Sequence, residues 1–128
     1  MIKWAGWLIT LFGAAHTILA LTLMGAGQHA GTWFSGGLWQ ENLKALSPAG
    51  SAYWFSIDSF GPAFVLVGLL VLWLARRGIT PPAFVGWALI VWTVVDAVVM
   101  PLTPWPVILV AAILLLVGIR RATATERA

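Results

Sequence analysis

Apolar residues in this chain are grouped into four stretches of 15 to 25 residues, bounded by polar, glycine-rich or proline-rich segments. The stretches cover residues 4–24, 51–75, 83–100 and 105–119. A helix that crosses a bilayer needs about 20 apolar residues, so the pattern predicts an all-α bundle of four transmembrane helices. A chain of 128 residues has room for one such unit, and we expect a single integral membrane domain over residues 1–128.

The longest loop, residues 25–50, joins the first two spans. Its first part is rich in glycine, whereas residues 38–46 place Trp39, Leu43 and Leu46 on one side of a helix. This spacing predicts a short amphipathic helix at the membrane interface, either as an anchor or as a lid. Two ionisable residues of the same loop, His29 and Glu41, are expected to face water.

Small residues recur at helical spacing on one face of the first span. Such faces let membrane helices approach each other closely. The face consists of Gly6, Thr10, Gly13 and Thr17.

The composition supports a membrane location. The chain is 61% hydrophobic and 9% charged, whereas soluble domains carry about 25% charged residues. Basic residues stand singly or in pairs at the ends of apolar runs, which is typical of topology signals and not of nucleic-acid binding. If both termini are cytoplasmic, only Lys44 lies outside, and the long loop is on the outer side of the inner (cytoplasmic) membrane. The six basic residues then inside are Lys3, Arg76, Arg77, Arg120, Arg121 and Arg127.

Three ionisable residues lie within spans: His16, Asp58 and Asp96. The helical rise of 1.5 Å per residue puts both aspartates roughly 6–8 Å outward of the middle of their spans, with His16 close to that level. A charge that faces lipid costs at least about 2.5–3.5 kcal/mol, so the three groups are expected to face the interior of the bundle. Pro62, four residues after Asp58, is expected to kink the second span and to leave the Asp58 carbonyl without its usual donor.

Each aspartate has a tryptophan one helical turn before it, Trp54 for Asp58 and Trp92 for Asp96. Two carboxylates that share a low-dielectric site hold one proton between them, which provides a general acid. Indole rings stabilise cations through their π faces. The pattern therefore predicts an acidic, aromatic pocket that opens outward. The other residues expected to contact a ligand there are Tyr53, Thr93, as a hydrogen-bond donor to the nearby acid, and Met100.

Structural explanations of the same residues remain open at this point. The two aspartates would also serve as a polar clamp between helices, and His16 as the source of one interhelical hydrogen bond. Both tryptophans would suit packing or interfacial positions equally well. With no cysteine and no His-x-x-x-His pair, we expect neither a metal site nor a cofactor.

Short motifs are spread over most of the chain. They are Gly6-Trp7, Gly13-x-x-His16, Tyr53-Trp-Phe, Gly68-Leu-Leu-Val-x-Trp73, Arg77-Gly78, Gly86-Trp87-x-Leu89 and Met100-Pro101. Together they resemble a largely uncharacterised family of small bacterial four-helix integral membrane proteins, and this resemblance implies a fold but no activity. In size, span number and membrane acid pair, the chain is also similar to short membrane-bound terpene cyclases that act on prenylated indoles in actinobacterial pathways. That likeness assigns no residue a role.

The leading functional hypothesis is a membrane terpene cyclase or isomerase. Asp58 or Asp96 would protonate an alkene or epoxide of a lipophilic prenylated substrate, Trp54, Trp92 and Tyr53 would stabilise the carbocation, and the other aspartate or His16 would take the final proton. One alternative is a small proton-coupled transporter of lipophilic cations, and another is a non-catalytic assembly subunit. The outward position of all three ionisable groups favours the enzyme, and a homo-oligomer is compatible with each hypothesis.

Overall fold

The structure, a computed structural model that describes residues 1–128, consists of helices and connecting turns without a β-strand. A short 3-10 segment, Ala26–His29, precedes the second helix. The helices are α1 (Ile2–Leu21), α2 (Ala30–Phe34), α3 (Pro48–Ser56), α4 (Phe60–Arg76), α5 (Ala83–Val99) and α6 (Trp105–Arg127). The all-α fold that the apolar pattern predicts is confirmed.

Three segments are long and apolar enough to cross a membrane: Ile2–Leu21, Pro48–Arg76 and Trp105–Arg127. The fourth predicted span corresponds to α5, an apolar helix of 17 residues. Only 28–33% of the three longer segments is buried inside the protein, so most of their apolar side chains face outward. Helices that expose apolar side chains on this scale indicate a membrane protein.

The chain divides into two compact units, Met1–Phe12 with Val65–Ala128 and Gly13–Phe64. In the first unit, α5 packs along α6. A Cβ atom on Gly86 would lie 2.6 Å from the Leu116 side chain, so the glycine lets the two helices approach closely. The core of this unit is formed by Ala5, Val71, Leu115 and Ile119, with Ile2, Val85 and Leu114 packed against it. The single domain over residues 1–128 stays a prediction.

Small residues also bring α1 close to α4 within the first unit. A Cβ atom on Gly6 would lie 2.8 Å from the Leu72 side chain. A Cβ atom on Gly68 would lie 2.8 Å from the carbonyl oxygen of Gly6 and would overlap Thr10. The Thr10 hydroxyl donates to that same carbonyl at 2.8 Å, so its polar atom is satisfied inside the helix contact. The small-residue face of the first span therefore has the predicted role in close packing.

The amphipathic helix predicted over residues 38–46 is not formed. Residues 35–46 adopt turns and irregular structure instead. Gly36 has φ of 81°, a left-handed conformation that ends regular helix. The side chain of Asn42 accepts the backbone N–H of Lys44 at 3.0 Å, a local bond that competes with helix formation. The helical part of this loop lies earlier in the chain, in the 3-10 segment and α2.

Candidate functional site

The second apolar stretch is interrupted at Asp58, between the end of α3 at Ser56 and the start of α4 at Phe60. The backbone N–H of Asp58 donates to the carbonyl of Tyr53 at 3.0 Å, five residues back. This bond widens the last turn of α3, as commonly occurs where a helix ends. The stretch therefore forms two helices, α3 and α4, connected by residues 57–59. We call this short connection the joint.

Pro62 lies three residues after the break at residues 57–59, so the kink predicted near it corresponds to a break between two helices. It is the third residue of α4, where backbone N–H groups have no intrahelical acceptor in any case. The carbonyl of Asp58 lies before the start of α4 and therefore accepts no hydrogen bond within that helix. Ser59 caps α4 by accepting the N–H of Gly61 at 3.2 Å, and its hydroxyl donates to the Ser56 carbonyl at 2.8 Å.

His16 of α1 contacts the residues that precede and follow this joint. Its Nε2 lies 3.2 Å from the carbonyl oxygen of Phe55. Because a carbonyl only accepts, this contact is a hydrogen bond in the forms of His16 that carry a proton on Nε2. The carbonyl of Phe55 is near the end of α3, where intrahelical donors run out. The imidazole ring also lies 5.5 Å from the ring of Phe55 and 4.2 Å from that of Phe60, measured between centroids.

Gly61 permits this contact between α1 and the start of α4. A Cβ atom there would lie 2.9 Å from the carbonyl oxygen of Gly13 and 3.1 Å from Cδ2 of His16, and it would overlap the hydroxyl of Thr17. The Thr17 hydroxyl itself donates to Gly13 at 3.1 Å. The same small-residue face of α1 thus accounts for the position of the imidazole within the second unit.

The side chain of Asp58 is exposed at the joint. Trp54, one turn earlier, is also exposed, at 52% of its surface. Tyr53 is half-buried, with its ring edge-on to that of Trp33 at 5.6 Å between centroids. Trp33 in turn donates its indole N–H to the carbonyl of Ala49 at 2.9 Å, which ties α2 to the start of α3.

Glu41 is half-buried and structural, so the expectation that it faces water is wrong. Its carboxylate accepts both the backbone N–H of Ser47 at 2.5 Å and the Ser47 hydroxyl at 3.0 Å. The Ser47 side chain accepts the N–H of Gly50 at 3.0 Å and caps α3. The capped start of α3 fixes the end of the long loop, because a helix terminus needs such partners for its free N–H groups.

Asp96 lies near the end of α5 in the first unit and is half-buried. Its Oδ2 accepts the hydroxyl of Thr103 at 2.6 Å, across the turn to α6. The donor is therefore Thr103 and not the predicted Thr93, which is 1% exposed and donates to the Leu89 carbonyl at 2.7 Å. Trp92 is half-buried, and Met100, which follows the last helical residue, is 58% exposed.

The structure brings together, within the second unit, His16 and the two phenylalanines on either side of Asp58 in the sequence. The convergence of Asp96 with them stays a prediction, because Asp96 belongs to the first unit. Sequence reasoning missed Phe55 and Phe60. Their signal was one aromatic residue directly before, and one within, the segment Ser56-Ile-Asp-Ser-Phe-Gly-Pro62, which is rich in turn formers.

The arrangement offers three chemical functions. The carboxyl group of Asp58 is accessible and can donate or accept a proton. In the neutral tautomer with its proton on Nε2, Nδ1 of His16 can accept one. The rings of Phe55 and Phe60 present π faces that attract a positive charge. No cluster of three His, Cys, Asp or Glu side chains suited to a metal ion is present.

Comparison with known proteins gives one match. Residues 1–122 match the model of a family of unknown function (DUF6463). No curated protein and no solved structure matches the chain. Since the matched residues cover nearly all of its 128 residues, the chain belongs to this family of unknown function.

Proposed function

We propose that the chain crosses the cytoplasmic membrane four times as a bundle, with both termini in the cytoplasm. The shortest helix, α5, has 17 residues and would extend roughly 26 Å, close to the hydrocarbon thickness of about 30 Å. The excess of Lys and Arg at the ends of α1, α4 and α6 supports the orientation.

The chain has no cysteine, which makes this topology testable by labelling. A Lys44→Cys variant should react with a membrane-impermeant maleimide on intact cells. A Thr125→Cys variant should react only after the cells are permeabilised. Labelling of both variants on intact cells would contradict the proposed orientation.

We further propose that the protein is an acid-catalysed enzyme, a terpene cyclase or isomerase acting on a lipophilic prenylated substrate. The observation that carries this proposal is the joint between α3 and α4, where an exposed aspartate stands in the sequence between two aromatic residues whose rings both contact His16. The likeness in size and layout to short membrane terpene cyclases agrees with it. The proposal concerns the second unit alone, and a contribution from Asp96 stays a prediction.

The reaction consumes no proton overall, because the protein donates one proton to the substrate and accepts one from the cation. The protonated carboxyl group of Asp58 transfers its proton to an alkene carbon or an epoxide oxygen and leaves a carbocation. The π faces of Phe55 and Phe60 stabilise the cation, by about 0.5–1 kcal/mol at an exposed ring and by about 2 kcal/mol where bound substrate excludes water. A second double bond of the substrate attacks the cation and closes a ring. Loss of a proton to Nδ1 of His16 yields the product, so the step is redox-neutral. Exchange of protons with water then reprotonates Asp58 and deprotonates His16, which restores the starting state.

The test is turnover of a panel of prenylated indoles and their epoxides by the purified protein in nanodiscs. In D₂O an alkene substrate should yield a product that has gained one deuterium at the protonated carbon. An Asp58→Asn variant should lose turnover by about 100-fold or more, the usual size of general acid catalysis. The matched carboxyl-to-amide control is Glu126→Gln in the C-terminal region, which should retain full turnover. Unchanged turnover in Asp58→Asn would sink the proposal.

The joint also favours a second candidate, a proton-coupled transporter of lipophilic cations. Interrupted membrane helices form the substrate and ion sites of many transporters, and an ionisable residue at such a point is common there. Purified protein would then release protons when tetraphenylphosphonium is added, and Asp58→Asn would abolish the release. Proton release without turnover would select the transporter over the enzyme.

A further inference from the structure

An open groove of about 550 Å³ lies at one end of the first unit, where three helical segments meet. The start of α1, the turn after α4 and the C-terminal half of α6 form its walls. Its volume is within the range of about 300–1,000 Å³ that small-molecule sites occupy. The groove is distinct from the joint at Asp58, which belongs to the second unit.

The charged residues that line the groove are Lys3 and Arg121, and both side chains are exposed. Arg76 and Arg77 precede the lining residue Gly78 directly in the chain. The acidic residue at this place is Glu126, whose carboxylate accepts the hydroxyl of the lining residue Thr80 at 3.4 Å. The two cationic lining residues, Lys3 and Arg121, outnumber it, so the groove attracts an anion.

The walls of the groove are held by tight packing. A Cβ atom on Gly118 of α6 would lie 2.7 Å from Cγ1 of Ile2, so α1 and α6 are in close contact at the groove. Ile2 also packs against the buried cluster of this unit. Gly78 adopts φ of 70°, which lets the chain turn sharply after α4. Lys3 and Arg121 therefore project from packed helices and not from a free loop.

The apolar residues that line the groove favour an anion attached to a lipid over a free anion. Ile2, Ala75 and Ile79 add apolar surface, and Trp4 is 70% exposed beside them. Tryptophan at the end of a membrane helix is typical of the interface between headgroups and acyl chains. Such a mixed surface fits an anion that carries a lipid tail better than a free anion, which would gain nothing from the apolar walls.

We propose that this groove binds the phosphate of an anionic phospholipid. Lys3 and Arg121 contact the phosphate, and the apolar walls hold the glycerol and the first part of the acyl chains. Basic pockets between membrane helices bind acidic headgroups in the same way. The groove is a lipid site whether or not the protein is an enzyme.

The test is native mass spectrometry of the purified protein with phosphatidylglycerol and phosphatidylcholine of identical acyl chains. The wild type should retain phosphatidylglycerol preferentially. The double variant Lys3→Gln/Arg121→Gln should lose about thirtyfold in affinity for it, with no change for phosphatidylcholine. The control variant Lys44→Gln removes a basic residue of the other unit and should bind as the wild type does.

A second double variant, Lys3→Arg/Arg121→Lys, keeps both charges and should keep the preference, which separates charge from folding. Equal retention of the two lipids by the wild type would overturn the proposal. So would undiminished binding in the Gln double variant. Displacement of the lipid by millimolar inorganic phosphate would identify a site for free phosphate and would also overturn it.

Discussion

Replacing Gly61 by alanine tests the packing that places His16 against the joint. The added methyl group would lie 2.9 Å from the carbonyl oxygen of Gly13 and 3.1 Å from the imidazole, and it would overlap the hydroxyl of Thr17. The threonine can turn away only by giving up its 3.1 Å bond to Gly13. The carbonyl belongs to the backbone of α1, so relief there requires movement of a helix.

The size of the effect follows from these contacts. Overpacking of this kind costs about 1–3 kcal/mol, and the lost threonine bond adds about 0.5–1.5 kcal/mol. Alanine recovers about 0.5–1 kcal/mol through its higher helix propensity. The free energy of unfolding of Gly61→Ala should therefore fall by about 0.5–4 kcal/mol, with a middle value of about 2 kcal/mol. In a chain of this size each kcal/mol lowers Tm by roughly 3–5 °C.

Thermal unfolding in detergent, followed by tryptophan fluorescence, measures the change. Gly31→Ala is the matched control, because Gly31 lies in the helix α2 with no atom within 4 Å of an added Cβ. That variant should match or slightly exceed the Tm of the wild type. If Gly61→Ala is as stable as Gly31→Ala, or if the two fall together, the close approach of α1 to α4 is not as described.

Three further predictions concern polar contacts that fix turns and helix ends. Thr103→Val removes the donor to Asp96 and should lower the free energy of unfolding by about 1.5–3 kcal/mol, whereas Thr103→Ser should retain most of it in urea unfolding. Ser47→Ala removes the cap of α3 and should cost about 1 kcal/mol, with Ser47→Thr close to the wild type in the same assay. Trp33→Phe keeps an aromatic ring but loses the indole bond, and should increase hydrogen exchange at the start of α3 by about five- to tenfold, while an unchanged rate would refute the role of that bond.

The helices α1, α5 and α6 were predictable because each lies in a long apolar run with a proline, glycine or basic residue near its end. The first and last spans agree with α1 and α6 to within a few residues, apart from the polar tail that α6 carries on to Arg127. The helix of residues 38–46 was not predictable in the same way. Nine residues give too little apolar surface to offset the local bonds that Asn42 and Glu41 make with the backbone.

The contacts of the site depend on distant parts of the chain, and a sequence pattern does not contain them. Asp96 was recognised from its place in an apolar run, but its partner Thr103 lies across a turn whose shape only the fold defines. His16 was recognised for the same reason, whereas Phe55 is 39 residues away in the chain. The position of a residue within a span indicates how deep its side chain lies in the membrane, but not which atom of another helix or turn it contacts.

The hydrogen bonds at the joint separate structural from functional roles. His16 donates to a carbonyl that the end of α3 leaves without a helical partner, so its presence is explained by the fold alone. Ser59 is explained in the same way by the cap of α4. The exposed carboxylate of Asp58 satisfies no helix end, and its backbone N–H makes the bond that shapes the turn. Asparagine would keep that N–H, so loss of turnover in Asp58→Asn at unchanged stability would report chemistry. The same loss in a His16 variant would have two causes, the loss of a proton acceptor and the loss of the hydrogen bond to Phe55. The proposed function is therefore tested at Asp58.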